Sequence, residues 1–415
     1  MEPVPIEDVA HQTLHVGRLL LGSGADTAEV QESMVRFAAA FGCETHLVVT
    51  YEALLLTVVS GEQFRTKISH RVPAMNVNMA AVAAVSNLLG EVEAGRWRLS
   101  EAQKELDDVE DRSPVYGRWL IVIALGLTAA SLARLFGGDW PTFWVSWLAG
   151  SLGMWLRQML GRRGFNLFFI PFAAALLSGV IGGAAVLLGV SATPALCLVA
   201  PGMIIVPGVP LVNALQDMIK NHMTVGVARL GLGSLITLAI TFGLFAAMSL
   251  TSAKIPVEAP LRLLSIPEDA LFSALAALGY LFLFNVPARI AWACVVCGVA
   301  SHTARTLCLH LGVDIVSGTL IGALAVGFLA QGFARHFRAP AVAFAFPGVV
   351  AMIPGAFAFR AVIGCLQIVH TGAAAPTALV TETLALAATC LLMVAAIAVG
   401  IVAPLILITK GTTKA

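Results

Sequence analysis

The sequence predicts an α-helical polytopic membrane protein with about ten transmembrane helices, arranged as two inverted five-helix repeats with broken helices, after an N-terminal soluble α+β domain. Three observations lead to this prediction. The 415-residue chain is 58% hydrophobic and 12% charged, with a mean hydropathy of +0.88, whereas typical soluble domains carry about 25% charged residues. Residues 1–118 hold 17 acids and 10 bases, whereas residues 119–415 hold 7 acids and 15 bases. An apolar stretch with two Pro-Gly pairs also occurs twice.

The charge distribution divides the chain. The net charge is −7 over residues 1–118 and +8 over the remainder, which is typical of a soluble domain followed by a membrane domain. We expect a cytoplasmic α+β domain over 1–118, a first five-helix membrane repeat over 119–255 and a second over 256–415.

Targeting and cysteine patterns add little to this assignment. The opening residues, MEPVPIEDVAHQ, are acidic and lack a basic segment before an apolar core, so we expect no secretory signal. The seven cysteines are scattered. Cys294 and Cys297 lie in an apolar segment without a second pair, so we expect packing residues rather than a metal or redox site. We expect no cofactor.

Residues 1–118 have the periodicities of a small α+β domain. Apolar spacing predicts helices over 6–21 and 27–41, separated by the turn GSGAD, and Asp26 and Glu29 have the spacing of a capping box. Three β-rich runs follow, at Thr45–Thr50, Ala53–Val59 and Phe64–Ile68. Helices return over about 77–93 and 100–109. The order α-α-β-β-β-α-α predicts the domain class.

This region contains no recognisable enzyme motif. There is no Walker loop, no HExxH and no GxSxG. The segment GSG alone is a weak phosphate-loop signal, and we expect a turn between helices. The basic residues Arg65, Lys67, His70 and Arg71 fit a solvated strand edge, which we favour, or a site for a regulatory anion or lipid headgroups.

Ten segments are long and apolar enough to span a bilayer, which requires about 20 residues. They lie at roughly 119–136, 141–160, 165–188, 192–210, 224–250, 269–286, 287–309, 313–333, 339–357 and 377–404. With the N-terminus inside, more bases fall at inner than at outer ends, which favours a cytoplasmic N-terminus and C-terminus. The inner bases are Arg118, Arg157, Arg162, Arg163, Lys220, Arg229, Arg289, Arg335, Arg338, Lys410 and Lys414. The outer bases are Arg134, Lys254, Arg262, Arg305 and Arg360.

The Pro-Gly stretches occupy the fourth and ninth segments, the same place in each group of five. Their pairs, 146 and 147 positions apart, are Pro201–Gly202 and Pro207–Gly208 in LVAPGMIIVPGVPLVNALQD, and Pro347–Gly348 and Pro354–Gly355 in FPGVVAMIPGAFA. Other segments align weakly, and they place Arg157 opposite Arg305 and Arg229 opposite Glu382. A repeat with an odd number of spans must be inverted relative to its partner, which is common in secondary transporters.

The pairs predict helix breaks inside the bilayer, since proline removes a backbone donor and glycine weakens a helix by about 1 kcal/mol. Backbone groups freed by a break must face protein, water or a ligand. A broken helix end also offers a partial charge to a zwitterion or an anion. A kink or a close helix contact would explain one pair, but recurrence in both halves favours walls of a substrate site.

Asp217 is the first of three acids considered as intramembrane groups, because acids in lipid are costly and mark ion or substrate paths. It shares a helical face with Asn213. Together they fit the binding of an ammonium group or a proton. The alternative is an ion pair of Asp217 with Lys220 or Arg229 at the inner surface.

The other two acids also have a structural alternative. Glu382 fits a charge site near the end of the last span or an ion pair with Arg360, and Asp314 fits a membrane site or the cap of the eighth helix. The remaining acids after residue 118 are expected in loops: Asp139, Glu258, Glu268 and Asp269.

Over nearly its whole length the chain resembles the threonine/serine exporter family. Residues 12–250 are similar to the first module of the family through GRLLLGSGADTAEVQESMVRFAAAFG, GEVEAGRWRLSEAQKEL and PGMIIVPGVPLVNALQDM. Residues 268–405 resemble the second module through FPGVVAMIPGAFAFRAV. In some bacteria the modules are separate chains, one pair being associated with succinate export; here they are fused. TAEV stands where the family often has an RVE-like run. The resemblance implies proton-linked export and leaves the cargo open.

We therefore expect a secondary transporter of the cytoplasmic membrane that exports threonine and serine by alternating access, driven by the proton gradient. The expected substrate-binding residues are Pro201, Gly202, Pro207, Gly208, Asn213, Asp217, Pro347, Gly348, Pro354 and Gly355. The expected proton or charge partners are Asp217, Arg229, Arg305, Arg360 and Glu382. The expected partners are the small-molecule substrate, protons and the lipid bilayer, with no nucleic acid; a homo-oligomer is left open.

The sequence leaves three alternatives to this function. A dicarboxylate exporter would use the arginines for affinity. A membrane-embedded enzyme would require a cluster of catalytic or metal-binding residues, such as paired aspartates, which the spans lack. A sensor with a ligand-binding N-terminal domain would not need ten spans with an internal repeat.

Overall fold

A computed structural model describes residues 5–70, 76–112, 114–253 and 263–412. Several residues named above lie outside the described residues: Arg71, Lys254, Glu258, Arg262 and Lys414, together with the side chains of His70 and Lys410. The described part consists mainly of helices, with one three-stranded sheet near the N-terminus.

The N-terminal region has the predicted order α-α-β-β-β-α-α. Its elements are α1 (Ile6–Gly22), α2 (Thr27–Ala40), β1 (Glu44–Val49), β2 (Ala53–Ser60), β3 (Gln63–His70), α3 (Met79–Glu93) and α4 (Leu99–Asp111). The strands form an antiparallel sheet in the order β1-β2-β3. Helices α1 and α2 pack against this sheet. Leu54, Leu56 and Val58 of β2 are buried, because alternate residues of a strand point to one face.

The turn between α1 and α2 follows directly from the sequence GSGAD. Asp26 is the N-cap of α2, and its Oδ1 accepts hydrogen bonds from the N–H groups of Ala28 and Glu29. Gly24 has a φ of +91°, a conformation that glycine adopts readily. The segment is therefore a tight inter-helix turn, as predicted.

The remaining chain is a polytopic bundle of membrane helices. Its helices are α5 (Arg118–Leu135), α6 (Trp140–Arg162), α7 (Phe169–Leu187), α8 (Pro194–Met203), α9 (Gly208–Ile219), α10 (Met223–Thr251), α11 (Ile266–Leu283), α12 (Ala291–His310), α13 (Ile315–Phe337), α14 (Val342–Val349), α15 (Gly355–Thr371) and α16 (Thr377–Thr412), with 3₁₀ turns at Ala288–Ile290, Val350–Met352 and Gly372–Ala374. The protein is thus an α-helical membrane protein with a small sheet.

The number of spans differs slightly from the ten segments predicted. Among the described residues, eight helices are long and apolar enough to cross a membrane, or nine if the bent pair α8–α9 counts as one span. Helix α6 has sufficient length, but it is not among the sufficiently apolar helices. The predicted segment 339–357 is divided by a break, which leaves a short apolar helix before the longer α15.

The two groups of membrane helices pack in the same pattern. Helix α6 contacts α5, α7 and α8, just as α12 contacts α11, α13 and α14. Helix α7 pairs with α10, as α13 pairs with α16. Between the groups, α5 packs against α11, and the contact of α9 with α16 is matched by that of α15 with α10. This correspondence supports an internal repeat, while the inversion of one half relative to the other stays a prediction.

Both predicted helix breaks are present. Helices α8 and α9 meet at an angle of 62° across residues 204–207. Helix α14 continues into the 3₁₀ turn Val350–Met352, and α15 begins after Pro354. Pro201 and Pro347 lie inside α8 and α14, so the second Pro-Gly pair of each stretch marks the start of the following helix.

The two breaks contact each other in the interior of the bundle. A side chain on Gly208 would collide with Ile353, and a Cβ on Gly355 would lie 3.0 Å from Cγ2 of Val206. Each glycine therefore lets the opposite break approach closely.

Candidate transport site

A cavity of about 310 Å³ lies beside the first break. Its wall includes the whole stretch from Ile204 to Pro210, together with residues of α6, α7, α10 and α11 and Val350 of the second break. Tyr51 and Asn76 of the N-terminal region line another side. The volume is at the lower end of the range for small-molecule pockets, about 300–1,000 Å³.

The break brings backbone groups of both polarities to this cavity. The carbonyls of Ile204 and Ile205 accept no hydrogen bond within the described part of the chain, and the N–H of Val209 donates none. The C-terminal end of α8 thus has partial negative charge and the N-terminal end of α9 partial positive charge. A zwitterion fits such a wall, because its ammonium and carboxylate groups find complementary partners there.

Arg157 provides the charged side chain of the cavity. It lies near the C-terminal end of α6, is half-buried, and is the one ionisable Lys, Arg, Asp or Glu among the described lining residues. Within the described ranges it forms no ion pair or hydrogen bond through its side chain. The sequence predicts Arg157 as an inner base and as the counterpart of Arg305, but not as a residue of the site.

Two of the eight Pro-Gly residues predicted to bind substrate, Pro207 and Gly208, line the cavity. The other six are buried in the helix packing: Pro201, Gly202, Pro347, Gly348, Pro354 and Gly355. A Cβ on Gly202 would contact Leu244 and Phe359, for example. The structure assigns these glycines a packing role, and their contact with substrate stays a prediction.

Asp217 and Arg229 form a buried ion pair between α9 and α10, one of the alternatives considered from the sequence. Asp217 Oδ2 lies 2.8 Å from Nη1 of Arg229, and both side chains are inaccessible to solvent. The same two residues bind the turn before α2. Asp217 Oδ1 accepts from the N–H of Thr27 at 2.9 Å, and Arg229 Nη2 donates to the carbonyl of Ala25 at 2.9 Å.

Asn213 and Lys220 extend this contact. Asn213 Nδ2 donates to the carbonyl of Gly24 at 2.9 Å, and Lys220 Nζ lies 3.0 Å from Oδ1 of Asp26. We call residues 24–27 together with Asn213, Asp217, Lys220 and Arg229 the N-terminal clasp. Neither Asn213 nor Asp217 lines the cavity. Both predicted site residues have partners in the N-terminal region instead, so their contact with substrate or a proton stays a prediction.

Glu29 lies next to the clasp in the first turn of α2. Burial raises the pKa of its carboxyl to about 7, and the nearby carboxylate of Asp26 contributes to this increase. Lys220 has the opposite effect on the pKa but does not outweigh the other two. This edge of the clasp therefore has a group that titrates near neutral pH.

The remaining predicted charge partners have local contacts. Arg360 Nη2 lies 3.7 Å from Oε1 of Glu382, which is the ion pair considered for Glu382. Asp314 caps α13 by accepting from the N–H groups of two residues of its first turn, as its structural alternative proposed.

The expectation that Glu268 and Asp269 lie in a loop is wrong. Both belong to the first turn of α11, which begins at Ile266 with Pro267 in its first turn, a favoured place for proline. Asp269 is buried and lies 2.8 Å from Nδ1 of His302. Its carboxylate also accepts from the hydroxyl groups of Ser273, Thr303 and Thr306. His302 in turn contacts Arg305. We call these six residues the Asp269 cluster.

The sequence signal that could have indicated part of this cluster is a set of polar residues on one face of an apolar helix. His302, Arg305 and Thr306 have helical spacing within α12. No local pattern links them to Asp269 on the preceding helix, so only the fold brings the acid and the histidine together.

Comparison with protein families identifies the chain. A family model described as putative threonine/serine exporter matches residues 11–251, more than half of the sequence. A second, described as threonine/serine exporter, matches residues 269–407. The protein belongs to the threonine/serine exporter family.

Curated members and relatives of the family have two kinds of name. The probable succinate transporter subunit YjjP of Klebsiella aerogenes is 30% identical over 236 residues, 56% of this chain and 89% of that protein. The probable threonine/serine exporter of Mycobacterium tuberculosis is 26% identical over an aligned region that covers 84% of this chain and 68% of that protein. The threonine/serine exporter of Corynebacterium glutamicum is 23% identical, with 87% and 76% coverage. No solved structure matches.

The boundaries of the family models agree with the fold. The first exporter model ends with α10 and the second begins within the first turn of α11. The exporter family is a family of transporters and not of enzymes, so this chain is a multi-pass membrane transporter of the cell membrane.

Proposed function

We propose that the protein exports small hydrophilic amino acids, with threonine and serine as the main candidates, across the cytoplasmic membrane. It would act as a secondary transporter coupled to the proton gradient. Membership of the threonine/serine exporter family and the names of the relatives from M. tuberculosis and C. glutamicum support this cargo. The 1–118, 119–255 and 256–415 division is retained as the proposed domain organisation.

The cavity beside the first break carries this proposal. Among the described residues, its wall has one arginine, the carbonyls of Ile204 and Ile205, which accept no hydrogen bond there, and the N–H of Val209. We assign the substrate carboxylate to Arg157 and the amino end of α9, and the substrate ammonium to the carbonyl end of α8. The polar groups of Tyr51 and Asn76 are then available to hydrogen-bond the side-chain hydroxyl of threonine or serine.

Alternating access is proposed from the paired breaks. Because Gly208 packs against the second break and Gly355 against the first, a shift of one half against the other would move the cavity wall. In inverted-repeat transporters such rocking exposes a central site alternately to the two sides. With both termini placed in the cytoplasm, the cavity beside Tyr51 and Asn76 corresponds to the inward-facing state.

The predicted site residues outside the cavity enter the cycle at other points. The second break, with Pro347, Gly348, Pro354 and Gly355, is proposed to form the opposite wall once the halves have moved. The clasp residues Asn213, Asp217 and Arg229 and the pair Arg360–Glu382 are proposed as gate contacts, in which ion pairs break and reform.

Export of a dicarboxylate is the second candidate, because the K. aerogenes relative is named a probable succinate transporter subunit. Arg157 would bind one carboxylate equally well. A second carboxylate would need a second cation, however, and Arg157 is the one Lys or Arg among the described residues that line the cavity. This charge count favours a monocarboxylate zwitterion.

Transport by the purified protein in liposomes tests the function. With a pH gradient imposed, labelled threonine should accumulate, and labelled succinate should not. Succinate flux without threonine flux would replace the first candidate by the second. Threonine flux that ignores the gradient would remove proton coupling from the proposal, while leaving the cargo.

A further inference from the structure

The Asp269 cluster joins the beginning of α11 to the end of α12 through buried ionisable groups. Asp269 and His302 are each 1% exposed and Arg305 is 5% exposed. The aspartate accepts from His302 Nδ1 at 2.8 Å and from the hydroxyl of Thr306 at 2.6 Å. Ionisable groups buried in the interior of a membrane protein are costly and usually have a function.

The hydrogen-bond partners of His302 favour one tautomer of its ring. Arg305 Nη2 contacts His302 Nε2, and a guanidinium can only donate. Nε2 therefore accepts, the ring proton lies on Nδ1, and the imidazole is neutral. The cluster then consists of one cation, one anion and a neutral imidazole between them.

A further proton would enter this arrangement at His302 Nε2. Asp269 already accepts from the imidazole and from three hydroxyl groups, an environment that favours the ionised carboxylate. Protonated Nε2 would place one donor opposite another, so Arg305 would have to leave. The cluster thus has two mutually exclusive states, one with an Arg305–His302 contact and one with an imidazolium beside Asp269.

Other charged groups near the cluster have their own partners. On α11, Glu268 faces Arg134 of α5, 3.8 Å away. On α12, His310 bonds the carbonyl of Leu264. On α13, Asp314 caps its own helix. The segment of α14 packed against α12, VAFAFPGV, contains no ionisable side chain. In the described part of the chain, His302 is therefore in contact with Asp269 and Arg305 alone among charged groups.

The cluster adjoins the second helix break. Ser301, next to His302 in α12, donates to the carbonyl of Gly348 at 2.6 Å. The stem of Arg305 packs where Gly318 of α13 lacks a side chain. Departure of Arg305 would therefore disturb the contact of α12 with α13, and Ser301, beside His302, connects the same part of α12 to the broken helix. That helix leads to Ile353, which contacts Gly208 in the cavity wall.

We propose that His302, held between Asp269 and Arg305, is the proton-binding site of the transport cycle. The proposal rests on the proton coupling proposed above and assigns it to a site separate from the substrate cavity. One proton binds at Nε2 when the cluster is open to one side of the membrane and leaves from Nε2 on the other side. Displacement and return of Arg305 transmit this change to the second break.

The substitution His302→Gln separates this function from a purely structural one. Glutamine can donate to Asp269 and accept from Arg305, so it retains the contacts but cannot titrate. For one coupled proton, a gradient of one pH unit supports about tenfold accumulation of substrate. In liposomes, the variant should lose this accumulation, whereas threonine exchange without a gradient should fall far less. His310→Gln, near the exposed end of the same helix, is the matched control.

A second measurement does not require a membrane. In lightly buffered detergent solution, adding threonine to the wild-type protein should take up or release protons, and the His302→Gln variant should not do so. A coupled wild type with an equally coupled variant would overturn the proposal while leaving the function intact. Equal loss of exchange and accumulation in a variant of normal thermal stability would also overturn it. A wild type that ignores the gradient would remove the proposed proton coupling itself.

Discussion

Arg157 in α6 and Arg305 in α12 lie at corresponding positions near the ends of equivalent helices, but only Arg305 has a polar partner within the described residues. Arg305 contacts His302 in a closed cluster, whereas Arg157 faces a cavity. The two halves therefore use equivalent arginines differently. One is available to a ligand, and the other is occupied by the protein itself.

Substitution of Arg157 should weaken substrate binding specifically. Hydrogen bonds to charged groups contribute about 1.5–3 kcal/mol, so Arg157→Gln should raise the half-saturating threonine concentration roughly 10- to 100-fold. The measurement is the concentration dependence of threonine exchange in liposomes. Arg162→Gln, an exposed residue at the end of the same helix, should leave this concentration unchanged.

An amino alcohol sharpens the same test. An analogue of threonine without the carboxylate should compete only weakly with threonine for the wild-type protein. It should compete equally weakly for the Arg157→Gln variant. Threonine affinity that survives the substitution, or equal loss of affinity for both ligands, would argue against a carboxylate contact at Arg157.

The Asp217–Arg229 pair should stabilise the docked N-terminal region. Removing one partner of a buried ion pair leaves an unpaired charge and costs about 3–5 kcal/mol. Asp217→Asn and Arg229→Gln should each lower the thermal unfolding temperature in detergent strongly. The double variant should lose clearly less than the sum of the single effects, because neither charge is then left unpaired. Additive losses would contradict the coupling.

Arg360→Gln provides the comparison for this pair. Its partner Glu382 lies 3.7 Å away; the side chain of Glu382 is 37% exposed and that of Arg360 is 13% exposed, whereas the Asp217–Arg229 pair is almost fully buried. More exposed pairs contribute about 0–1 kcal/mol, so this variant should unfold near the wild-type temperature. Equal destabilisation by Arg360→Gln and Arg229→Gln would show that the burial of the clasp is not what makes it stable.

The contact between the two breaks predicts an unequal effect of two alanine substitutions. A methyl group at Gly208 would overlap Ile353, whereas at Gly355 it would lie 3.0 Å from Val206. Overpacking a core typically costs about 1–3 kcal/mol. Gly208→Ala should therefore reduce stability and threonine exchange more than Gly355→Ala. Ile353→Ala in the Gly208→Ala background should restore part of both, and failure of this rescue would count against the contact.

Much of the fold was predictable because its signals are local. Asp26 caps α2 through the N–H groups two and three residues later, and the second Pro-Gly pair of each stretch interrupts its helix. Strand alternation at Leu54, Leu56 and Val58 likewise needs no distant partner. Such features depend on residues within one or two turns, which the sequence displays directly.

The partners of buried polar groups were not predictable in this way. Asp217 is bound by the backbone N–H of Thr27, and every residue has such a group, so no side-chain pattern identifies the contact. The predicted apolar segment begins only at Asp269, which therefore looks like the end of a loop, whereas the helix begins three residues earlier, at Ile266. Arg157 is a cavity residue only because α6 packs beside the first break.

The stability of the clasp should decrease as the pH rises through the region in which Glu29 titrates. Burial and Asp26 raise the pKa of this carboxyl from 4.5 to about 7 in the folded protein. Between these values the folded state binds a proton that the unfolded state lacks, so stability falls with increasing pH. Glu29→Gln removes the proton and the buried charge together. The variant should therefore gain stability at pH 8 relative to the wild type, and little at pH 5.

Thermal unfolding at both pH values checks this expectation, together with hydrogen exchange of the amides of α2. The full pKa difference corresponds to an upper limit of about 3 kcal/mol, and the partial exposure of Glu29 reduces the observed gain. Glu32→Gln, on an exposed position of the same helix, is the comparison: the charge of Glu32 only adds to the pKa increase of Glu29, so this variant should show a smaller pH-dependent gain. If Glu29→Gln is equally stable relative to the wild type at pH 5 and pH 8, Glu29 is not the titrating group at the edge of the clasp.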